Sequence, residues 1–511
     1  MGIYGAGGIT DNADGAITAT RLALASDNSN IVLDSGLHVV TQLAGGTGTT
    51  GGDFTFSGGS FYVGTGAYYL PGVTPGTGTV TSITGIDAQT GVTLTSSGDI
   101  VPVPATLTSS PVTVRAAGGV GIVARTLQGG AIRLDGANES FGTVSLRSNN
   151  GTDLGAGNIT YSEAAGDLAL ANLQTSGRAT INFDGNLTQT GIIQAGILNL
   201  QGTGLSGTDD DALLNLANQI GAIRGQIVGD LTLTDSGTSL FPGLVVGEVV
   251  GGIPLGLAST TGNITLTSNG DVTQVAGITA IGGAGLGPNG SPTAGFLAVD
   301  AASITLDLAA GTPSSSLNNV NQISLASTGG DTIYRDSDGY YVQRATAPNP
   351  NGATRGEAGA GFVSLASDSG VVRDDIGGVT PSTATMSGDA LVLLSSGSAN
   401  FDLQNRNAYD FDSFAASGVG SGFYFRDTDY LVISTVNGTA GVSTGGDLVL
   451  TAGGDVTQDA AINANSLRVT IRSVGGNYLV LSGANDVNSV SLQTKDNTGG
   501  DDPDPNLGDP V

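Results

Sequence analysis

Short runs in which apolar and polar residues alternate recur along most of the chain, each broken within a few residues by Gly-Asp, Gly-Asn or Ser-Gly. Ile264 and Leu266 alternate with Thr265 and Thr267, and Leu448 and Leu450 stand two apart in the same way. A period of two sends successive side chains to opposite faces of a strand, so these runs predict short strands with one face turned inward. Glycine at the breaks permits positive φ, and Asn or Asp tolerates the left-handed region, which makes the breaks turns.

The runs are copies of one another. Gly262 to Gln274 aligns without a gap with Gly446 to Gln458, and Ile278 and Ala280 continue onto Ile462 and Ala464. A third copy runs from Gly177 through Ile181, Gly185 and Leu187 to Ile193 and Ala195, and a degraded fourth covers Val92 to Ile100 before leaving the pattern at Val101 and Pro102. A second unit follows three of these copies: Val320 to Leu325, Val487 to Leu492, and a weaker Ile220 to Ile223; Phe141 to Leu146 shares its spacing. Strands this short cannot bury an apolar face alone, but stacking each turn of chain on the last builds a continuous core.

The pattern therefore predicts an all-β chain forming one parallel β-helix, a β-solenoid, from the first residue to about 495. At about 20 residues per coil it would make roughly 25 coils, stacked about 4.8 Å apart into a rod about 120 Å long. Three stretches break the rhythm and are read as loop insertions. The stretch 240–257 is the most apolar window but carries Pro242, Glu248 and Pro254, which argues against a membrane span. The stretches 334–357 and 400–430 are rich in aromatic and charged residues. Residues 496–511, dominated by Asp, Pro and Gly, are read as a flexible acidic tail.

Composition agrees with short strands and tight turns: 85 of 511 residues are glycine, and only 12% are charged against 39% hydrophobic. The 44 acidic and 16 basic residues leave a net charge of −28, which disfavours nucleic acid and anionic membranes as partners. Cysteine is absent, so no disulfide can form in an oxidising compartment. The start, Met1 to Gly7, lacks the basic segment and apolar core of a secretory leader.

Groups for catalysis are few. His38 is the single histidine; in the alternating run Gly36 to Val40 it is predicted to point outward and play a structural part. The enzyme alternative is a β-helical polysaccharide lyase or glycoside hydrolase, which needs carboxylates at a set separation. Asp374 and Asp375 beside Arg373, and Asp427 and Asp429 beside Arg426, supply candidates, though neighbours on a strand face opposite ways. Asp336 and Asp338, in Asp-Ser-Asp-Gly, resemble the opening of a calcium loop but lack its closing glutamate, so a lone weak calcium site is the only cofactor expected. Attachment asks only for an exposed patch. Tyr340, Tyr341, Tyr424 and Phe425 are the candidate contact residues, with padding of the coil wall as the alternative.

The ordered pairing of the two repeat units, clearest over Gly166–Leu200, Gly262–Leu325 and Gly446–Leu492, resembles the repeats of filamentous haemagglutinin-like exoproteins, the adhesins of two-partner secretion. The resemblance implies a right-handed parallel β-helix in a secreted or cell-surface bacterial protein, exported through an outer-membrane transporter and attaching to a cell-surface receptor, glycan or biofilm matrix. A purely structural spacer is the further alternative. The secretion-domain tetrapeptide Asn-Pro-Asn-Gly occurs only as Asn349 to Gly352, mid-chain, and is read as chance.

Overall fold

The alternating runs become strands that pair in parallel with the equivalent strand one coil away. The computed structural model describes residues 1–71, 78–102, 112–164, 166–204, 210–280, 295–308, 317–348, 361–374, 384–404, 409–472 and 478–495. The described residues contain no helix, hence none long and apolar enough to cross a membrane. The fold is the parallel β-helix that the repeats predict. Contacts divide it into two compact units, Met1–Gly270 with Val275–Ala280 and Asp271–Gln274 with Ile281–Val511, where the sequence suggested one element.

In the first unit Leu168–Phe183 belongs to one coil, and Leu187–Gln189 and Ile193–Gly202 of the next coil pair along its length. In the second, Asp447–Ala452 and Val456–Gln458 lead into Ile462–Arg472, whose second half already lies on Asp447–Ala452 as the next rung. Turn residues measure the step between coils: the Asn186 N–H donates to Asp167 19 residues earlier, and the Asp53 N–H to Asn30 23 residues earlier. Those steps bracket the expected coil of about 20 residues.

Inward side chains stack in columns. In the first unit Phe54, Val92, Ile122 and Val144 occupy successive rungs and all are fully buried. In the second, Leu448 lies on Leu467 and Leu450 on Val469. Burying one such side chain contributes about 1.5–3 kcal/mol, and it takes a covering coil to do so. Leu467 and Val469 are 3% and 0% exposed, whereas their register partners Val490 and Leu492 on the last described rung are 58% and 51% exposed. Val469→Ala should therefore cost about 2 kcal/mol in urea unfolding, while Leu492→Ala should change stability by less than about 0.5 kcal/mol.

In two of the three expected insertions the described residues, 334–348 and 400–404 with 409–430, are mostly coil wall instead. Thr332–Asp336 and Tyr341–Thr346 are strands of the parallel sheet, as are Asn400–Leu403, Tyr409–Gly418 and Phe423–Arg426. Their aromatic residues keep the period of two, and Tyr334, Tyr409, Phe411, Phe423 and Phe425 fill inward positions taken elsewhere by Leu and Ile. Residues 349–357 and the tail 496–511 lie outside the described residues. The stretch 240–257 does carry an insertion. Leu244–Val246 stays in the sheet, but Glu248–Val250 and Ile253–Leu255 form an antiparallel hairpin closed by Gly251 and Gly252, both at positive φ, a turn that glycine allows at no steric cost. Thr65–Pro71 and Gly78–Thr84 form a second antiparallel hairpin that the sequence did not suggest.

Polar residues buried at coil corners complete the wall. Between Leu134 and Asn138 the register shifts. There the Asn138 amide accepts the Val114 N–H at 2.9 Å and donates to the carbonyls of Leu134 and Ser162. Asn218 repeats the geometry, accepting the Ile193 N–H and donating to Leu214 and Thr234. In the same role the buried Glu163 accepts the Ser140 N–H, Asp235 that of Ile220, Asp336 that of Val320 and Asp427 that of Phe411, and the exposed Asn485 accepts that of Ile462. Each satisfies a backbone donor that would otherwise be buried unpaired where one strand ends and the next begins.

Candidate binding face

The structure separates the residues singled out from sequence. Tyr340 is 1% exposed, its hydroxyl donates to the Ala366 carbonyl, and its ring lies edge-on to Tyr334 at 5.2 Å. Phe425 is fully buried and stacks on Phe414 at 5.2 Å and Tyr409 at 6.0 Å. Neither can touch an external partner, so the wall-padding alternative holds for both. Tyr341 and Tyr424 alternate outward with them and are half-buried. Partial burial and the Asp447 and Asp402 carboxylates push the Tyr424 phenol upward, opposed by Arg468.

The carboxylates considered for catalysis or calcium are largely committed to the wall. Asp336 is fully buried; it accepts the Tyr334 hydroxyl and the Val320 and Asp338 N–H groups, and burial drives its pKa well up. Asp338 is exposed. The described residues bring together no group of three or more His, Asp or Glu able to hold a metal. Asp427 is 2% exposed and is also pushed well up by burial, against the hydrogen bonds from Asp429 and Phe411. Asp374 is buried and accepts the Tyr409 hydroxyl; Asp375 lies outside the described residues. Asp412, buried on the strand Tyr409–Gly418, accepts the hydroxyl of the exposed Tyr430 at 2.6 Å. Burial first, then that bond and the charges of Asp412, Asp429 and Asp389, raise the Tyr430 phenol.

His38 does not point outward as its run suggested. It is 1% exposed, because the register shifts between Leu33 and His38 and the alternation is reset there. The Ile17 N–H donates to Nδ1 at 3.1 Å, so Nε2 carries the proton and faces both Asp11, at 2.9 Å, and Ser35, at 3.4 Å. A catalytic triad needs the carboxylate on one ring nitrogen and the nucleophile on the other. Here both share Nε2, and Asp11 acts as a clamp. Burial alone would raise its pKa, but hydrogen bonds from Ser35, Asp34 and His38 bring it below the usual value.

The outer face carries what the sequence reading missed. Parallel pairing in register places equivalent outward residues in straight rows, and one row in the first unit runs Thr95, Arg125, Arg147, Gln174, Gln194, Gln219 on successive rungs. The glutamines form an amide ladder: Gln174 Nε2 donates to Gln194 Oε1 at 3.0 Å, and Gln194 Nε2 to Gln219 Oε1 at 2.6 Å. Beside it lies the row Thr93, Val123, Ser145, Asn172. Arg125 is exposed and Arg147 half-buried, and neither guanidinium makes an ion pair or hydrogen bond with a described residue. Arg147 Nε and Asn149 Oδ1, two positions apart on one strand, are buried without a partner. The available signal was local: Ala124-Arg125-Thr126 and Leu146-Arg147-Ser148 occupy the same place in their coils. Arginines bonded elsewhere contrast with this pair. Arg115 lies between Asp87 and Glu139 on neighbouring rungs, and Arg178 and Arg224 both meet Glu248 of the hairpin.

A regular face of donors and acceptors along the coil axis, over a wall whose buried carboxylates serve the backbone, is suited to holding an extended polymer. No family model, curated protein or solved structure matches the chain.

Proposed function

We propose that this chain is a non-catalytic binding segment of a secreted or cell-surface bacterial adhesin, of the filamentous haemagglutinin-like kind that its repeats resemble. In that reading it passes through an outer-membrane transporter and attaches to a cell-surface receptor, glycan or matrix. The observation that carries the proposal is the division of labour between wall and face. Asp374 and Asp427, which a lyase or hydrolase would need in contact with substrate, are buried and hydrogen-bonded within the coils. The outer rows repeat polar side chains at the rung spacing of about 4.8 Å. That presents many weak contacts in series, which is how a surface without a deep pocket gains avidity. The absence of cysteine supports export as an unfolded chain through an oxidising compartment.

The carboxylates around Tyr430 are what the hydrolase alternative would have to use. Immobilised protein exposed to host cells, bacterial cells and soluble polysaccharides should retain at least one of them while releasing no new chain ends. Newly formed ends, abolished by Asp412→Asn, would establish the enzyme instead. Neither retention nor new ends would leave the spacer reading.

A further inference from the structure

We propose that Arg125 and Arg147 form a paired guanidinium site for the acidic groups of an anionic polysaccharide lying along the coil axis, with Gln174, Gln194 and Gln219 carrying the chain onward. The inference rests on the adhesin reading and names the ligand class for one of its faces.

Arg125 and Arg147 are direct register partners on adjacent rungs, and like charges placed opposite one another across a strand pair are destabilising. The chain holds 44 acidic residues against 16 basic ones, so a carboxylate partner within the protein would be easy to supply; Arg115 has two. The pair has none among the described residues. The guanidinium fork matches a carboxylate or sulfate with two parallel hydrogen bonds.

The neighbouring rungs favour a polysaccharide over other polyanions. A rung spacing of about 4.8 Å is close to the length of one pyranose unit, so a glycan along the axis meets one amide or guanidinium per sugar. Carboxamides bond hydroxyls as donor and acceptor at once. The flanking residues Thr93, Val123, Ser145 and Asn172 include no aromatic ring, which base stacking on a nucleic acid would use. The overall charge of −28 disfavours non-specific association with a polyanion, so binding calls for guanidinium groups gathered locally.

The test measures binding of the full chain to polygalacturonate, dextran sulfate and neutral dextran at low salt, for the wild type, Arg125→Gln/Arg147→Gln and Arg125→Lys/Arg147→Lys. The wild type should bind polygalacturonate, dextran sulfate or both, and the glutamine variant should lose about tenfold or more in affinity. The lysine variant should fall between them, keeping the charge without the fork. Because the pair repels itself, the unliganded glutamine variant should melt no lower than the wild type. Binding of polygalacturonate alone assigns the site to carboxylates, and binding of dextran sulfate to sulfates. The proposal is overturned if the wild type binds neither anionic polymer, binds neutral dextran equally well, or if the glutamine variant binds as the wild type does. Cell retention assayed on the same variants separates the two claims: retention that survives the double substitution leaves the adhesin reading standing without this site.

Discussion

Phe425→Ala should lower stability by about 3–5 kcal/mol, while Tyr424→Ala, one residue away, should cost less than about 1 kcal/mol. The two rings leave the same strand in opposite directions. Phe425 is packed against Tyr409, Phe411 and Phe414, and its removal leaves a cavity bounded by rings that their own coils hold in place. Because each coil of a solenoid contacts only its neighbours, the damage should be local. Hydrogen exchange should speed up at 401–403, 409–418 and 448–450, while the first unit keeps its protection. Exchange that rose uniformly along the chain, or equal costs for the two substitutions, would refute this account of the aromatic columns.

Glu163→Gln should raise stability by about 3 kcal/mol above pH 8 and have little effect near pH 4. Burial is the main cause that pushes the Glu163 carboxyl up from 4.5 to about 7, against the opposing hydrogen bonds from Tyr161 and Ser140. Below pH 4.5 both folded and unfolded chains hold the proton, and the wild type pays no penalty. Between 4.5 and 7 the unfolded chain releases it while the folded chain retains it, so stability falls as pH rises; above 7 the loss is complete. A glutamine cannot ionise, keeps an oxygen for the Ser140 N–H, and can donate to the Tyr161 oxygen. Asn138, Asn218 and Asn485 already fill the equivalent corner with an amide. Urea unfolding from pH 4 to 9 gives the comparison, and a wild-type stability that is flat across that range would contradict it.

The coil was legible in the sequence because its two determinants are local. Alternation such as Ile264 and Leu266 sets which face turns inward, and Gly-Asp breaks set where the chain turns. The aromatic stretches misled because residue type was read where spacing should have been: Phe423 and Phe425 differ from Leu448 and Leu450 in size, not in period, and they pair with them rung on rung. His38 misled for the opposite reason, since its spacing was right and a register shift reset it. A small hairpin at Thr435–Ala440 was signalled by Asn437-Gly438, both at positive φ, and passed unnoticed. The arginine pair was hidden because insertions of unequal length shift the register between coils. Only paired strands show that residues as far apart as Arg125 and Gln219 share one row.

The corner side chains also tie each coil to its neighbour from both sides. The N–H of Ile193 is met by Asn218, that of Val320 by Asp336, that of Phe411 by Asp427, and that of Ile462 by Asn485, each an acceptor that comes later in the sequence than its donor. Asn30 and Asp167 do the reverse, meeting the N–H groups of Asp53 and Asn186 one coil onward. A coil is therefore a half-finished object by itself: cut the chain between two coils and both cut faces are left with backbone groups that only the missing neighbour could have met.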